Sequence, residues 1–213
     1  MRPTVVAKFL RWFFRHLYTT FAWAYDWVAW VSSSGQWEQW QSTALHNLPP
    51  GATLELGHGP GHLLEKLARR TDPFVGIDTS RQMSQLAARR LRRRQAPLNL
   101  ARARAQELPF PAQTFSTVIA TFPSEFIVAS GTLEEISRIL RTGGSLIIVG
   151  VARITGRSLP DRFSAWLYRL TGQSQEPSDA WLAPFTTAGL DARFRELHLE
   201  RAVVVQVLAV KAR

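Results

Sequence analysis

From Thr4 to Val31 the chain contains neither Gly nor Pro, and its charged positions are spaced for a helix. Lys8, Arg11 and Arg15 recur at three- and four-residue intervals, while Val6, Phe9, Leu10, Phe13 and Leu17 gather on the opposite side. Ser32-Ser33-Ser34-Gly35 breaks this run, and a second helix is predicted from Trp37 to Leu45. Arg11 and Arg15 interrupt any signal-peptide apolar core, and no small-residue cleavage site follows. The uncharged run from His16 to Tyr25 ends at Asp26, which is too short to cross a bilayer. Pro49-Pro50-Gly51 then separates the leading helices from the rest of the chain.

Beyond that break, short apolar runs alternate with helical periodicity, the pattern of an α/β fold with a parallel sheet. The runs 53–56, 74–78, 98–103, 115–121 and 145–151 read as strands. The segments 62–70, 80–94 and 132–140 read as helices between them. Two closing strands near 192–199 and 202–210 are expected to pair antiparallel. Between 153 and 188 the pattern is irregular and partly helical, and it carries Trp166, Tyr168 and Trp181.

Composition narrows the chemistry. There is no cysteine, which removes disulfides, zinc–thiolate sites and thiol nucleophiles and fits an intracellular protein. The five histidines show no metal-ligand spacing, so no metal site is expected. A formal charge of +10, carried by 23 Arg and only 3 Lys, favours anionic partners or else reflects an arginine-preferring genome. Of the eight tryptophans, six lie in the first 40 residues. Aromatic bodies with polar edges opposite a basic face suit a membrane headgroup region, so residues 1–48 are either a lid packed on the core or a membrane-contacting segment. The basic stretch 89–94 is either a solvated helix face or a functional surface.

The most informative residues are Leu54-Glu55-Leu56-Gly57-His58-Gly59-Pro60-Gly61. An apolar strand there runs into three glycines spaced for a sharp turn, and a helical pattern begins at His62. Glycine backbone takes positive φ without cost and lets a ligand sit on its amides. The first amides of the helix lack intrahelical acceptors and suit an anionic group. Asp78 ends the second strand 21 residues after Gly57, placed to accept bonds from ribose hydroxyls.

With these motifs in order, the chain resembles the class I S-adenosylmethionine-dependent methyltransferases over most of residues 18 to 211. Glu55 to Gly61 reads E-x-G-x-G-x-G, with His62 where a dinucleotide fingerprint has its third glycine. Asp78-Thr79-Ser80-Arg81-Gln82-Met83 is similar to the family's D-x-S-x-x-M, and Ala105-Gln106-Glu107-Leu108-Pro109-Phe110 to the segment that meets the adenine edge. Residues 139–146 resemble the turn into strand five. Tyr18, Ala22, Tyr25 and Asp26 fit the Y-x-x-x-A-x-x-Y-D pattern of quinone- and phospholipid-modifying members. Two departures stand out: Arg104 occupies the place of the acidic residue that usually binds the adenine amino group, and Ser116 that of a frequent aspartate.

The resemblance implies a Rossmann-like seven-stranded sheet with helices on both faces, formed by residues 49–213, with 153–188 as a substrate-side insertion. It implies S-adenosyl-L-methionine as cofactor, held by Tyr18, Tyr25, Glu55, Gly57, His58, Gly59, Gly61, Asp78, Thr79, Met83, Ala105, Gln106, Thr121 and Phe122. Asp26, Glu125 and His58 are the candidates for a base, should the methyl acceptor carry a proton to lose. The aromatic leader and insertion favour a lipophilic small-molecule acceptor, such as a phospholipid headgroup or a quinone-like ring. Such a protein is expected in the cytoplasm or on the inner face of the membrane. Two other readings are RNA or DNA methylation through the arginine surface and a non-catalytic membrane-bound protein of the same fold. The first lacks the Asn/Asp-Pro-Pro-Tyr/Phe tetrapeptide and a cysteine nucleophile.

Overall fold

The computed structural model describes residues 35–156 and 178–212, together with Ser33, Ser158 and Asp161. The expected leader helix over 4–31, with Tyr18, Tyr25 and Asp26, lies outside the described residues, as do Trp166 and Tyr168.

The elements in chain order are α1 (Trp37–Ser42), a 3-10 turn (Thr43–Leu45), β1 (Thr53–Leu56), α2 (His62–Leu67), β2 (Phe74–Ile77), α3 (Arg81–Arg93), β3 (Leu100–Ala101) and β4 (Phe115–Thr121). They continue with a 3-10 turn (Glu125–Val128), α4 (Ser130–Ile139), β5 (Leu140–Ile154), a 3-10 turn (Asp179–Leu182), α5 (Ala183–Thr187), β6 (Leu190–His198) and β7 (Ala202–Lys211). The seven strands form one sheet in the order β3-β2-β1-β4-β5-β7-β6. Six strands, β1 to β6, run in one direction, and β7 inserts antiparallel between β5 and β6. Strand order reverses between β1 and β4, which opens a crevice at their carboxyl ends where ligands of open α/β sheets bind.

Side chains alternate across this sheet with period two. Val118 and Ala120 of β4 and Leu146 and Ile148 of β5 pack with Leu133, Ile136 and Ile139 of α4. Their neighbours Ile119, Ile147 and Val149 face the other way, onto Leu63, Leu64 and Leu67 of α2. Helices therefore cover both faces. The second helix joins this packing, since Trp40 is fully buried in the α2-side cluster with Ala44 and Leu48.

The longest described helix, α3, shows how local sequence sets an element. Ser80 caps it by accepting the Met83 N–H at 3.3 Å, and Met83, Ala87 and Leu91 form its buried stripe. Several expected boundaries shift for identifiable reasons. The helix at His62 was expected to reach residue 70, but it tightens after Leu67, because Arg69 and Arg70 donate to carbonyls only three residues back. The third strand shrinks to two residues at the sheet edge, paired only with Gly76 and Ile77. The fifth extends from Leu140 rather than Ser145: the Gly143-Gly144 segment is absorbed as a register shift against Phe115–Thr117 instead of forming a separate turn.

Truncating Trp40 to Ala removes the largest fully buried side chain of the α2-side cluster. The expected loss is about 3–5 kcal/mol of unfolding free energy, measured by urea denaturation. A loss below about 1 kcal/mol would show that the second helix contributes little to the core.

Candidate functional site

The glycine turn sits at the carboxyl end of β1. Gly57, Gly59 and Gly61 have φ of 68°, 53° and 84°, backbone that side chains rarely adopt. Gly61 is needed for space as well. A Cβ there would come within 2.8 Å of the Ala87 Cβ and 3.0 Å of its Cα, so the turn packs directly on α3.

Asp78 follows β2 and ties the turn in place. Its Oδ2 accepts the Gly59 N–H at 2.9 Å and its Oδ1 accepts the Ser80 N–H at 2.8 Å. One carboxylate thus joins the glycine turn to the start of α3 and keeps unshared lone pairs. Met83 is buried in the first turn of that helix, whereas the Thr79 side chain is exposed and its carbonyl accepts from Arg102 Nε at 3.3 Å.

Glu55 lies beneath the turn, 1% exposed, and its Oε2 has no hydrogen-bond partner among the described residues. Burial pushes its carboxyl well above the usual carboxylate range, and the nearby Asp78 charge pushes it further. His58 is 3% exposed. Its Nδ1 lies 2.7 Å from the Gly59 carbonyl, which can only accept, so Nδ1 carries the proton. Burial lowers the imidazole's pKa, against the pull of Asp78 and that carbonyl. The ring has room because residue 76 is glycine: a Cβ there would lie 3.0 Å from His58 Cδ2. The imidazole is therefore turned down toward β2 and α2.

Across the crevice, β4 ends in Thr121 and Phe122. Thr121 Oγ1 accepts from Gln41 Nε2 at 3.2 Å, and the Phe122 ring stacks on Trp37 at 4.3 Å. Phe122 holds a φ of 47°, a strained value for a non-glycine residue. The following 3-10 turn begins at the exposed Glu125 and brings Phe126 Cζ to 3.8 Å from the Cβ position of Gly57. Ala105 and Gln106 lie after β3, with Ala105 buried and Gln106 next to Gly131. Arg104 is exposed.

Sequence reasoning missed what holds the 105–110 segment. Glu135 Oε2 accepts the Leu108 N–H at 2.7 Å, while Arg138 donates to the carbonyls of Phe110 at 2.7 Å and Leu108 at 3.0 Å. Arg138 also pairs with Glu135 and holds its carboxyl below the ordinary value. The pair's i,i+3 spacing on a helix was visible, but nothing in sequence named its target. Gly76, Phe126 and the Trp37–Phe122 stack were missed for the same reason, because each depends on a contact between distant segments.

The methyltransferase-domain family profile matches residues 53–144, the stretch that holds the glycine turn, Asp78 and β4. The fold also matches phosphoethanolamine N-methyltransferase 2 of Haemonchus contortus, solved with phosphomonomethylethanolamine and S-adenosylhomocysteine. The TM-score is 0.66 at 16% identity, covering 93% of this chain and 59% of that one. The fold is thus the class I methyltransferase fold, and residues 53–144 are similar to the methyltransferase domain. Among curated proteins, a demethylmenaquinone methyltransferase of Symbiobacterium thermophilum is 29% identical over 163 residues, 72% of this chain and 64% of the relative. A phosphatidylethanolamine N-methyltransferase of Cereibacter sphaeroides is 33% identical over 111 residues, 50% of this chain and 54% of the relative. The chain thus spans less than two thirds of the length of these relatives. Among its described residues, no helix is long and apolar enough to cross a membrane.

The Glu55 carboxyl gives a pH signature. Its folded pKa is raised, so its stabilising contribution is full below the unfolded value and is lost as pH rises toward the folded one. The ligand-free wild type is expected to lose melting temperature relative to Glu55→Gln as pH climbs from about 4.5. Parallel melting curves for the two proteins from acid to neutral pH would contradict the burial argument.

Proposed function

We propose that this chain is an S-adenosyl-L-methionine-dependent methyltransferase whose acceptor is a lipophilic small molecule, a phospholipid headgroup or a quinone-like ring. The observation that carries the cofactor reading is Glu55. A buried carboxylate with an orphaned oxygen, set beside a second carboxylate and a cradle of glycine amides, calls for a ligand bearing both a cation and hydroxyl groups. S-adenosylmethionine fits that demand, with an ammonium for Glu55 and a ribose diol for the free lone pairs of Asp78. When bound, it supplies a methyl group activated on a sulfonium.

The remaining site residues take roles from their placement. Gly57, His58, Gly59 and Gly61 offer backbone, and the buried His58 ring serves to set the turn rather than to move a proton. Thr79 and Met83 border the ribose and adenine side. Ala105 and Gln106 meet the adenine edge through the segment clamped by Glu135 and Arg138, with Arg104 leaving that edge to backbone groups. Thr121 and Phe122 close the opposite wall. In-line displacement needs alignment first, worth roughly 7 kcal/mol or more where orientation is good. A proton on the acceptor would go to Glu125, which is exposed at the carboxyl end of β4, or to Asp26.

The lipophilic acceptor draws on three lines of support: the aromatic leader, the aromatic insertion, and the names of the relatives, which act on demethylmenaquinone and phosphatidylethanolamine. Residues 49–213 form the cofactor-binding unit in this reading. Residues 1–48, with Tyr18 and Tyr25, serve in this reading either as a lid over the site or as a segment that contacts a membrane.

Calorimetry with S-adenosylhomocysteine tests the cofactor assignment. Wild type is expected to bind, and Asp78→Ala to bind on the order of tenfold to a hundredfold more weakly, because charge-assisted hydrogen bonds to the diol are lost. No binding by wild type, or equal binding by the variant, sinks the assignment.

A further inference from the structure

Helix α3 carries a surface that the methyl-transfer reading does not use. Of the 28 residues from Thr79 to Gln106, eight are arginine and none is Asp or Glu. The helix spends its apolar stripe of Met83, Ala87 and Leu91 on the core. Arg81, Gln85, Ala88, Arg89 and Arg92, at spacings of three and four, therefore share the outward face.

Elsewhere in the domain many arginines are matched, although Arg141, Arg193 and Arg195 have no carboxylate within ion-pair distance among the described residues. Arg70 pairs with Asp72, Arg138 with Glu135, Arg153 with Glu196, Arg201 with Asp161, and Arg94 at the end of α3 with Glu65. Among the described residues, Arg81, Arg89 and Arg92 have no carboxylate within ion-pair distance. Helix stability does not account for Arg81 either. It stands in the first turn, where the helix dipole disfavours a cation, and no acidic residue accompanies it there.

These side chains line an open groove of about 440 Å³ between α3 and the edge strand β3. Its other wall is apolar, made by Leu100 and by Leu98, which is 43% exposed. These exposed guanidinium groups are solvated by water, but clustered on one face they favour a surface that offers many anionic oxygens. An exposed leucine beside them gains nothing from phosphate alone, but it gains from an acyl boundary just below a phosphate layer. No aromatic side chain lines the groove, so it offers no platform on which a nucleic-acid base stacks.

We propose that the α3–β3 face is a docking surface for an anionic phospholipid bilayer, with Arg81, Arg89 and Arg92 on the phosphates and Leu98 at the acyl boundary. The surface is built from residues outside the leader sequence and does not depend on methyl transfer. Docking by this face sets the sheet edge against the bilayer. Arg81 lies at the carboxyl ends of the strands, so the crevice mouth opens near the lipid surface.

Flotation of the full chain with phosphatidylcholine vesicles, with and without 30% phosphatidylglycerol, tests this, using about equal lipid concentrations across roughly 0.05–0.5 M salt. Binding is expected only to the anionic vesicles, weakening as salt rises. Each arginine near an anionic surface accounts for about a fivefold change in partition, so Arg89→Gln/Arg92→Gln is expected to bind about 25-fold more weakly. Leu98→Asp is expected to weaken binding as well. Unchanged melting temperature in these variants separates lost docking from lost folding. Wild-type binding by the double variant, with loss instead in Lys8→Gln/Arg11→Gln/Arg15→Gln, overturns the proposal and assigns the membrane contact to the leader. Tighter binding to a single-stranded oligonucleotide than to vesicles, lost in the same double variant, also overturns it and makes the face a nucleic-acid surface. Failure of wild type to bind S-adenosylhomocysteine bears on the proposed reaction alone and leaves this result standing.

Discussion

The two hydrogen bonds that Asp78 accepts hold the site together. A glycine turn with three positive-φ residues has little conformational preference of its own, and its amides need a fixed acceptor to point consistently at a ligand. Asp78 supplies that acceptor from the neighbouring strand, and through Ser80 it also sets the first turn of α3. The parallel register that places Leu56 beside Ile77 is what brings the carboxylate to the turn. Movement of either strand end would undo the bond to Gly59.

This arrangement sets two carboxyl groups side by side, one of them fully buried. Glu55 and Asp78 end adjacent strands, and the protein stabilises only the second with hydrogen bonds. The strain is compensated by the packing around it: Gly61 lets α3 close against the turn, and Gly76 lets His58 fold beneath it. The opposite wall is built differently. Phe122 holds a left-handed backbone beyond β4, and its ring is gripped by Trp37. The second helix is thereby joined to the crevice as well as to the core, with Gln41 on Thr121 and Gln206 on Thr43 as further ties. One side of the crevice is polar and set by backbone, and the other is aromatic and set by side-chain stacking.

Legibility differed sharply between these two walls. The glycine spacing and Asp78 were readable because they are local: a few consecutive residues dictate a turn and the end of a strand. The parallel sheet and its antiparallel closing pair were readable from alternation and spacing. Short edge elements were less so, since β3 has one pairing partner and ends after two residues, whereas β5 gains length from the strand that flanks it. The Glu135–Arg138 clamp could be seen as a helical ion pair, but its grip on the 108–110 carbonyls joins segments about 28 residues apart.

What the sequence determined by itself was therefore the chemistry of the glycine turn, the order of strands and helices, and the charge imbalance of residues 79–106, because these rest on neighbours along the chain. Tertiary structure alone decided that Glu55 is left without a partner, that the His58 ring turns inward, that Trp37 and Phe122 form one wall, and that the unmatched arginines share a groove with Leu98. Those features depend on burial and on which distant groups meet. Desolvation and pairing energies are properties of the folded environment, not of residue order.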